Sequence, residues 1–138
     1  MKVQAIALLM FFSICLWSCS KNNDTTVGGK TGVATLLVIP AVPANGGYLP
    51  VDPGGMVYIK YNTTSFPGSN TSLYDDSMKA EINYPNPYTQ TAFQGLSNGS
   101  YYLYFVGTHD KVINTSGGMA VTIVKQTGHS EAVVYVHP

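Results

Sequence analysis

The side chains able to do chemistry are few in this chain of 138 residues. Its imidazoles are His109, followed directly by Asp110, His129 and His137. None stands at the spacing of a helical zinc motif such as His-Glu-x-x-His, in which positions i and i+4 put two ligands on one face. They read as scattered surface histidines. Asp75-Asp76 is the one adjacent carboxylate pair. A hard cation wants six to eight oxygen ligands and no Asp-rich loop surrounds the pair, so it reads as a turn and no metal is expected. Glu81 and Glu131 fall in strand-like runs beside exposed positions. No Ser, His and Asp arrangement for nucleophilic attack and no Gly-rich phosphate loop stands out. The expectation is a chain that is not an enzyme and carries no cofactor.

Tyrosine is the unusual resource, with ten in the chain. A phenol ring offers an apolar face and a polar tip, suited to stacking on a sugar or to a protein interface. Tyr74, Tyr84, Tyr88, Tyr102 and Tyr104 are the candidates for glycan or partner contact. The competing reading is structural, because strands favour aromatics and a surface short of charge uses Tyr freely.

The two thiols, Cys15 and Cys19, lie near the start. Met1-Lys2 precedes an apolar stretch from Val3 to Trp17, broken only by Gln4 and Ser13. One positive charge before about fifteen apolar residues fits a secretory signal, whereas a spanning helix needs about 20. The stretch ends in Leu16-Trp17-Ser18-Cys19, which resembles the lipobox of bacterial lipoproteins: an aliphatic residue at −3, a small one at −1, then the Cys that is acylated. The resemblance implies that the Cys19 thiol takes a diacylglycerol and that the chain is cut after the small Ser18. Cys15 follows Ile14, and cleavage there would leave Leu16-Trp17 on the mature end, so Cys19 is preferred. With Cys19 acylated and Cys15 removed, the mature chain has no free thiol and no disulfide, which excludes thiol redox chemistry.

Residues 1–18 are thus expected to be a lipoprotein signal peptide and 19–32 a lipidated flexible tether, almost wholly polar with a Gly pair. Ser20 after the Cys resembles lipoproteins carried to the outer membrane, facing the periplasm or the cell surface. Asp24-Thr25-Thr26 and Asp76-Ser77-Met78 look like a bacterial O-glycosylation triplet, at Thr25 or Ser77. Only 10% of residues are charged and the net charge is zero, against roughly 25% in a typical soluble domain. There is no Arg, and no basic footprint for nucleic acid. Partners are expected to be the membrane, through the lipid, and a protein or glycan.

Residues 33–138 form one domain by size. Their apolar pattern alternates with period two between turn signals, which predicts an all-β domain. Strands are expected at Val33–Ile39, Met56–Asn62, Met78–Tyr84, Thr89–Phe93, Ser100–Gly107, Met119–Lys125 and Glu131–His137, giving a single seven-stranded antiparallel β-sandwich, transthyretin-like or immunoglobulin-like. Alternation puts Val57, Ile59 and Tyr61 on one face, Met78, Ala80, Ile82 and Tyr84 on another, and Tyr101, Leu103 and Phe105 inward with Tyr102 and Tyr104 outward. Asn98-Gly99 predicts a tight type I′ turn, and a last hairpin is expected near Thr127-Gly128. The segment Phe93-Gln94-Gly95-Leu96-Ser97-Asn98-Gly99-Ser100-Tyr101-Tyr102-Leu103 resembles a recurring element of transthyretin-like domains, which include carboxypeptidase regulatory-like and collagen-adhesin B-type repeats. That resemblance implies a scaffold or stalk module without an active site of its own.

Overall fold

The computed structural model describes residues 28–124 and 128–138. The signal segment, Cys15, Cys19 and Thr25 lie outside them. The chain runs β1 (Ala34–Ala44), β2 (Gly47–Pro50), β3 (Met56–Tyr61), a 3₁₀ turn (Thr71–Leu73), β4 (Asp76–Lys79), β5 (Glu81–Ile82), β6 (Thr89–Leu96), β7 (Gly99–His109), β8 (Ile113–Ile123) and β9 (His129–Tyr135). One sheet joins β2, β1, β6 and β5, with β9 added on β1, and the other has the order β4-β3-β7-β8. This is the expected all-β sandwich. It is built of nine strands rather than seven.

Two inner faces meet in one core. Leu36 and Val38 of β1, Phe93 and Leu96 of β6 and Val134 of β9 face Val57 and Ile59 of β3, Tyr101, Leu103 and Phe105 of β7 and Ile123 of β8. Each large apolar side chain so buried contributes roughly 1.5–3 kcal/mol. Phe93 and Leu96 are three residues apart, a spacing that should send them to opposite faces of a strand, yet both are fully buried. The reason is a bulge. Between the pairs Ala34↔Leu96 and Leu36↔Phe93, β1 advances by two positions and β6 by three, and the extra residue is absorbed at Gly95, whose φ of 73° suits glycine. Parity flips there, and both side chains point inward.

The additional strands have local causes. β2 folds back on β1 with Ala44 opposite Gly47, through a two-residue turn at Asn45-Gly46 in which Gly46 has φ 84°. The expected strand Met78–Tyr84 is two strands that change sheet. β4 pairs with β3 and β5 with β6. Between them the Ala80 N–H donates to the Gly55 carbonyl at 2.8 Å and its carbonyl accepts from the Gly54 N–H at 2.7 Å. Ala80 alone of the four alternating residues is core. Met78, Ile82 and Tyr84 are exposed, because a corner at the sandwich rim has no opposing sheet to cover them.

Two turn expectations are corrected as well. Asn98-Gly99 does not close a hairpin, because β6 and β7 belong to different sheets. Asn98 has no positive φ, so the type I′ geometry is absent. The adjacent positive-φ pair is Asp110-Lys111 (52° and 63°), in the hairpin between β7 and β8. β8 and β9 form no hairpin and meet only at one antiparallel bridge, Ser116 with His137, among the described residues. β9 instead runs parallel to β1 from Thr35↔His129 to Ala41↔Tyr135, so the sandwich is not wholly antiparallel. Strands this far apart in sequence are free to pair in parallel, since the chain between them supplies the crossover.

The turn at Ser97–Gly99 passes from one sheet to the other, and Tyr101 holds it. Its ring is fully buried in the core, and its hydroxyl donates to the Ser97 carbonyl at 2.6 Å. The same oxygen accepts from the Gly29 N–H at 3.0 Å. A tyrosine early in a strand bonding back to backbone a few residues upstream is the corner device of Greek-key sandwiches. The Ser97 N–H donates to the Gly29 carbonyl at 2.9 Å and the Gly32 N–H to the Gly95 carbonyl at 2.9 Å, which lays residues 29–32 along the corner. Tyr101→Phe is expected to cost about 1–3 kcal/mol, the usual penalty for stranding a buried polar group. The urea midpoint would fall at unchanged slope. An unchanged midpoint would show that the corner does not hold the fold.

Candidate functional site

On the outer face of the four-stranded sheet, alternation lines up the residues that do not reach the core. Tyr58 stands opposite Tyr104 and Lys60 opposite Tyr102 across β3 and β7. Gly118 and Ala120 of β8 flank the same two tyrosines. Over this face lies the loop 62–75. Phe66 brings its ring to 5.6 Å from Tyr102 and 5.5 Å from Tyr104. Tyr74 stacks on Tyr104 at 5.7 Å and 14° between planes, and reaches Tyr58 at 5.8 Å.

Polar contacts fix the loop in place. The Asp75 carboxylate accepts from Lys60 Nζ at 2.8 Å and from the Tyr61 N–H at 2.7 Å. Burial pushes the Asp75 carboxyl up, but these two donors outweigh it and hold it below its ordinary value. The neighbouring Asp76 is ion-paired with Lys30. Asn70 Oδ1 accepts from the Ser72 N–H at 3.1 Å and caps the 3₁₀ turn. The Tyr74 hydroxyl donates to the Gly68 carbonyl at 3.0 Å. The Asp75-Asp76 pair, expected to be a turn, is therefore the clamp at the end of this loop and the start of β4.

The rings form a second, external aromatic layer. Tyr104 is only 7% exposed, so its face is already spent on its neighbours, and Tyr74 is half-buried beside it. What remains open is Phe66, 52% exposed, and the half-buried Tyr102. Tyr102 lies across the backbone of β8, where a Cβ on Gly118 would sit 2.7 Å from the ring. Glycine at 118 is what lets the ring rest there. Beside the ring, Ala120 and Thr122 present an exposed strip of small side chains. The arrangement offers an aromatic platform bordered by small side chains.

The five tyrosine candidates thus divide. Tyr74, Tyr102 and Tyr104 come together, whereas Tyr84 and Tyr88 lie at the far end of the sandwich. Tyr84 is 91% exposed, and Tyr88 packs on Tyr48 at 5.2 Å. Sequence reasoning missed Phe66 and Tyr58. A lone Phe in the polar stretch Thr63-Thr64-Ser65-Phe66-Pro67-Gly68 was the available signal, because an isolated aromatic in a loop has to pack somewhere. Ser77, the O-glycosylation candidate among the described residues, is exposed, with its N–H held by Asp76 Oδ1 at 2.8 Å.

Asp52 and His109 tie loops together at the end of the sandwich away from the Tyr101 corner. Asp52 Oδ2 accepts from Thr108 Oγ1 at 2.9 Å and from the Lys111 N–H at 2.6 Å. His109 Nδ1 is 3.0 Å from the Pro50 carbonyl and its Nε2 is 3.5 Å from Asp110. These ties surround a cleft of about 360 Å³ walled by Leu49, Pro50, Ile82 and Pro87. A hollow of about 390 Å³ on the other sheet is lined by Leu37, Gln94, His129 and Glu131. Among the described residues no three His, Cys, Asp or Glu side chains gather as a metal site. No family model, curated protein or solved structure matches the chain.

Burial raises the Tyr74 phenol from its ordinary value of 10.0 to about 12, with Tyr102 and Tyr104 adding to the shift, and Tyr102 is raised in the same way. The fold retains the Tyr74 proton after the unfolded chain has lost its own. The stabilisation from this group is therefore full below pH 10 and disappears as pH rises through about 12. Tyr74→Phe is expected to flatten the decline in stability across that window, measured as urea midpoints between pH 9 and 11.5. A variant whose decline matches that of the unaltered chain would place the titration elsewhere.

Proposed function

We propose that this chain is a lipid-anchored lipoprotein of the bacterial outer membrane, facing the periplasm or the cell surface. Its sandwich acts as a non-catalytic structural or interaction module. The observation that carries the reading is where the N-terminal segment enters. Residues 29–32 lie along the Tyr101 corner at one end of the sandwich. The β1–β2 turn, the loop 83–88 and the β7–β8 turn gather at the other end, with Leu49, Ile82, Tyr84 and Val112 exposed there. Eight residues separate Cys19 from Gly28, a reach of at most about 30 Å at 3.3–3.6 Å per residue. A domain held this way presents its far end and its flanks to a partner. The likeness to transthyretin-like modules supports the same reading: the segment that carries it, Phe93 to Leu103, forms the end of β6, the corner and the start of β7.

The acyl chains on Cys19 supply the anchor, at about 0.8 kcal/mol per buried methylene. Cys19→Ala is expected to move the protein from the membrane fraction to the soluble fraction of its native host. Full retention in the membrane would overturn the anchoring.

A second reading has its own observation, the exposed Phe66 ring beside Tyr102. This pair suits a glycan ring stacked on the outer face, and it narrows the five tyrosine candidates to one tyrosine and a phenylalanine. Phe66→Ala and Tyr102→Ala are each expected to weaken polysaccharide binding about 3–10-fold in affinity electrophoresis, in line with roughly 0.5–1.5 kcal/mol per aromatic contact. Tyr84→Ala should leave it unchanged. If the unaltered chain binds no polysaccharide, this second reading is lost.

A further inference from the structure

β8 is the last strand of its sheet and pairs with β7 along its whole length, from Gly99↔Ile123 to His109↔Ile113, without a break in register. Its outer edge meets the tail of β9 at one residue, Ser116, which exchanges two hydrogen bonds of 3.0 Å with His137. Backbone groups alternate sides along a strand. Gly118, Ala120 and Thr122, of the same parity as Ser116, therefore also turn their N–H and C=O groups away from β7. Among the described residues no strand pairs with them.

The other outer strands carry the usual protections against edge-to-edge pairing. β4 has Asp76 and Lys79, β5 is two residues long and has Glu81, β2 is four residues long and ends in Pro50, and β9 has His129 and Glu131. β8 has none. Its eleven residues, INTSGGMAVTI, hold no charge and no proline.

We propose that β8 is a self-association edge, pairing antiparallel with β8 of a second copy of this chain about a two-fold axis at Ala120. The edge is its own complement. Ala120 would face the partner's Ala120, Gly118 the partner's Thr122, and Thr122 the partner's Gly118, which closes six main-chain hydrogen bonds and brings no like charges together. On the inner face Met119 would meet the partner's Val121, and Val121 the partner's Met119. These two residues are only partly buried at the rim of the core, so the pairing completes their cover. The pairing stops at Ser116, whose groups His137 already takes. A two-fold contact of this kind is isologous and closed, and yields a dimer rather than a fibre. The inference goes beyond the anchored-module reading and stands on the edge geometry alone.

Ala120→Cys in the full-length chain, oxidised in native membranes, tests it. Directly opposed residues of a hydrogen-bonded antiparallel pair lie about 5.5 Å apart at Cα, inside the roughly 4.4–6.8 Å span of a disulfide. The expected result is a reductant-sensitive dimer, absent from the unaltered chain and from Ser77→Cys on the edge strand β4. Adding Thr122→Pro, which removes one outward N–H and leaves the β7 ladder intact, should cut the dimer yield at least ten-fold while the thermal midpoint moves by a few degrees. Four outcomes overturn the proposal: no dimer with Ala120→Cys, equal dimer with Ser77→Cys, a cross-link only to a different protein, or a yield that survives Thr122→Pro.

Discussion

A hydroxyl group inside an apolar core has to be satisfied, and the Tyr101 hydroxyl is satisfied by backbone from two separate segments. One is the turn that carries the chain between sheets, through the Ser97 carbonyl. The other is the N-terminal segment, through the Gly29 N–H. The remainder of that end of the molecule follows from this demand. Gly28 and Gly32 pass so close to the corner that a Cβ on either would meet the Ser100 or Leu96 carbonyl. The bulge at Gly95 sets the parity that sends Leu96 inward just before the turn. The aromatic ring supplies the core and its polar tip supplies the address, so one residue couples packing to the position of the chain entry.

The outer aromatic layer answers a different constraint. A chain with one residue in ten charged must cover its sheets without relying on lysine and glutamate. Tyrosines on the outer face of β3 and β7 bury their ring faces against each other and against the loop 62–75. The loop in turn bonds its own polar groups through Asp75, Asn70 and the Tyr74 hydroxyl. The loop is ordered by packing on its aromatics and not by regular structure, apart from one 3₁₀ turn. Phe66, at the outside of this layer, is left with an open face.

Much of the fold was legible in period-two alternation, because the central strands face a core on one side and solvent on the other. Val57, Ile59, Tyr101, Leu103 and Phe105 are inward as expected, and Tyr102 and Tyr104 are on the outside. The pattern failed where that condition failed. At Ala80 the chain changes sheets, so Met78, Ile82 and Tyr84 alternate without being buried. Two Asn-Gly dipeptides show the same limit for turns. Asn45-Gly46 closes a real hairpin within a Pro-rich stretch that reads as loop, and Asn98-Gly99, the stronger-looking signal, joins different sheets. A dipeptide sets what φ values are cheap; which strands lie on either side is decided by core packing elsewhere. For the candidate site, alternation exposed Tyr102 and Tyr104, but nothing local said that Phe66 and Tyr74 would descend on them from a loop.

The few charges are distributed unevenly, and this bears on how the molecule meets others. Lys30 pairs with Asp76, Lys60 with Asp75 and Lys79 with Glu81, all along the β3, β4 and β5 rim. Exposed pairs of this sort add little stability, in most cases under about 1 kcal/mol. Their larger effect is on encounter: a strand approaching β4 would have to desolvate them, which keeps that edge to itself. The opposite rim, β8, has no such groups and presents small, uncharged residues beside the Tyr102 ring. The sheet is thus charged along one edge and uncharged along the other. The asymmetry therefore follows both from where three lysines and three carboxylates fall and from the length of the two edge strands, four residues in β4 against eleven in β8.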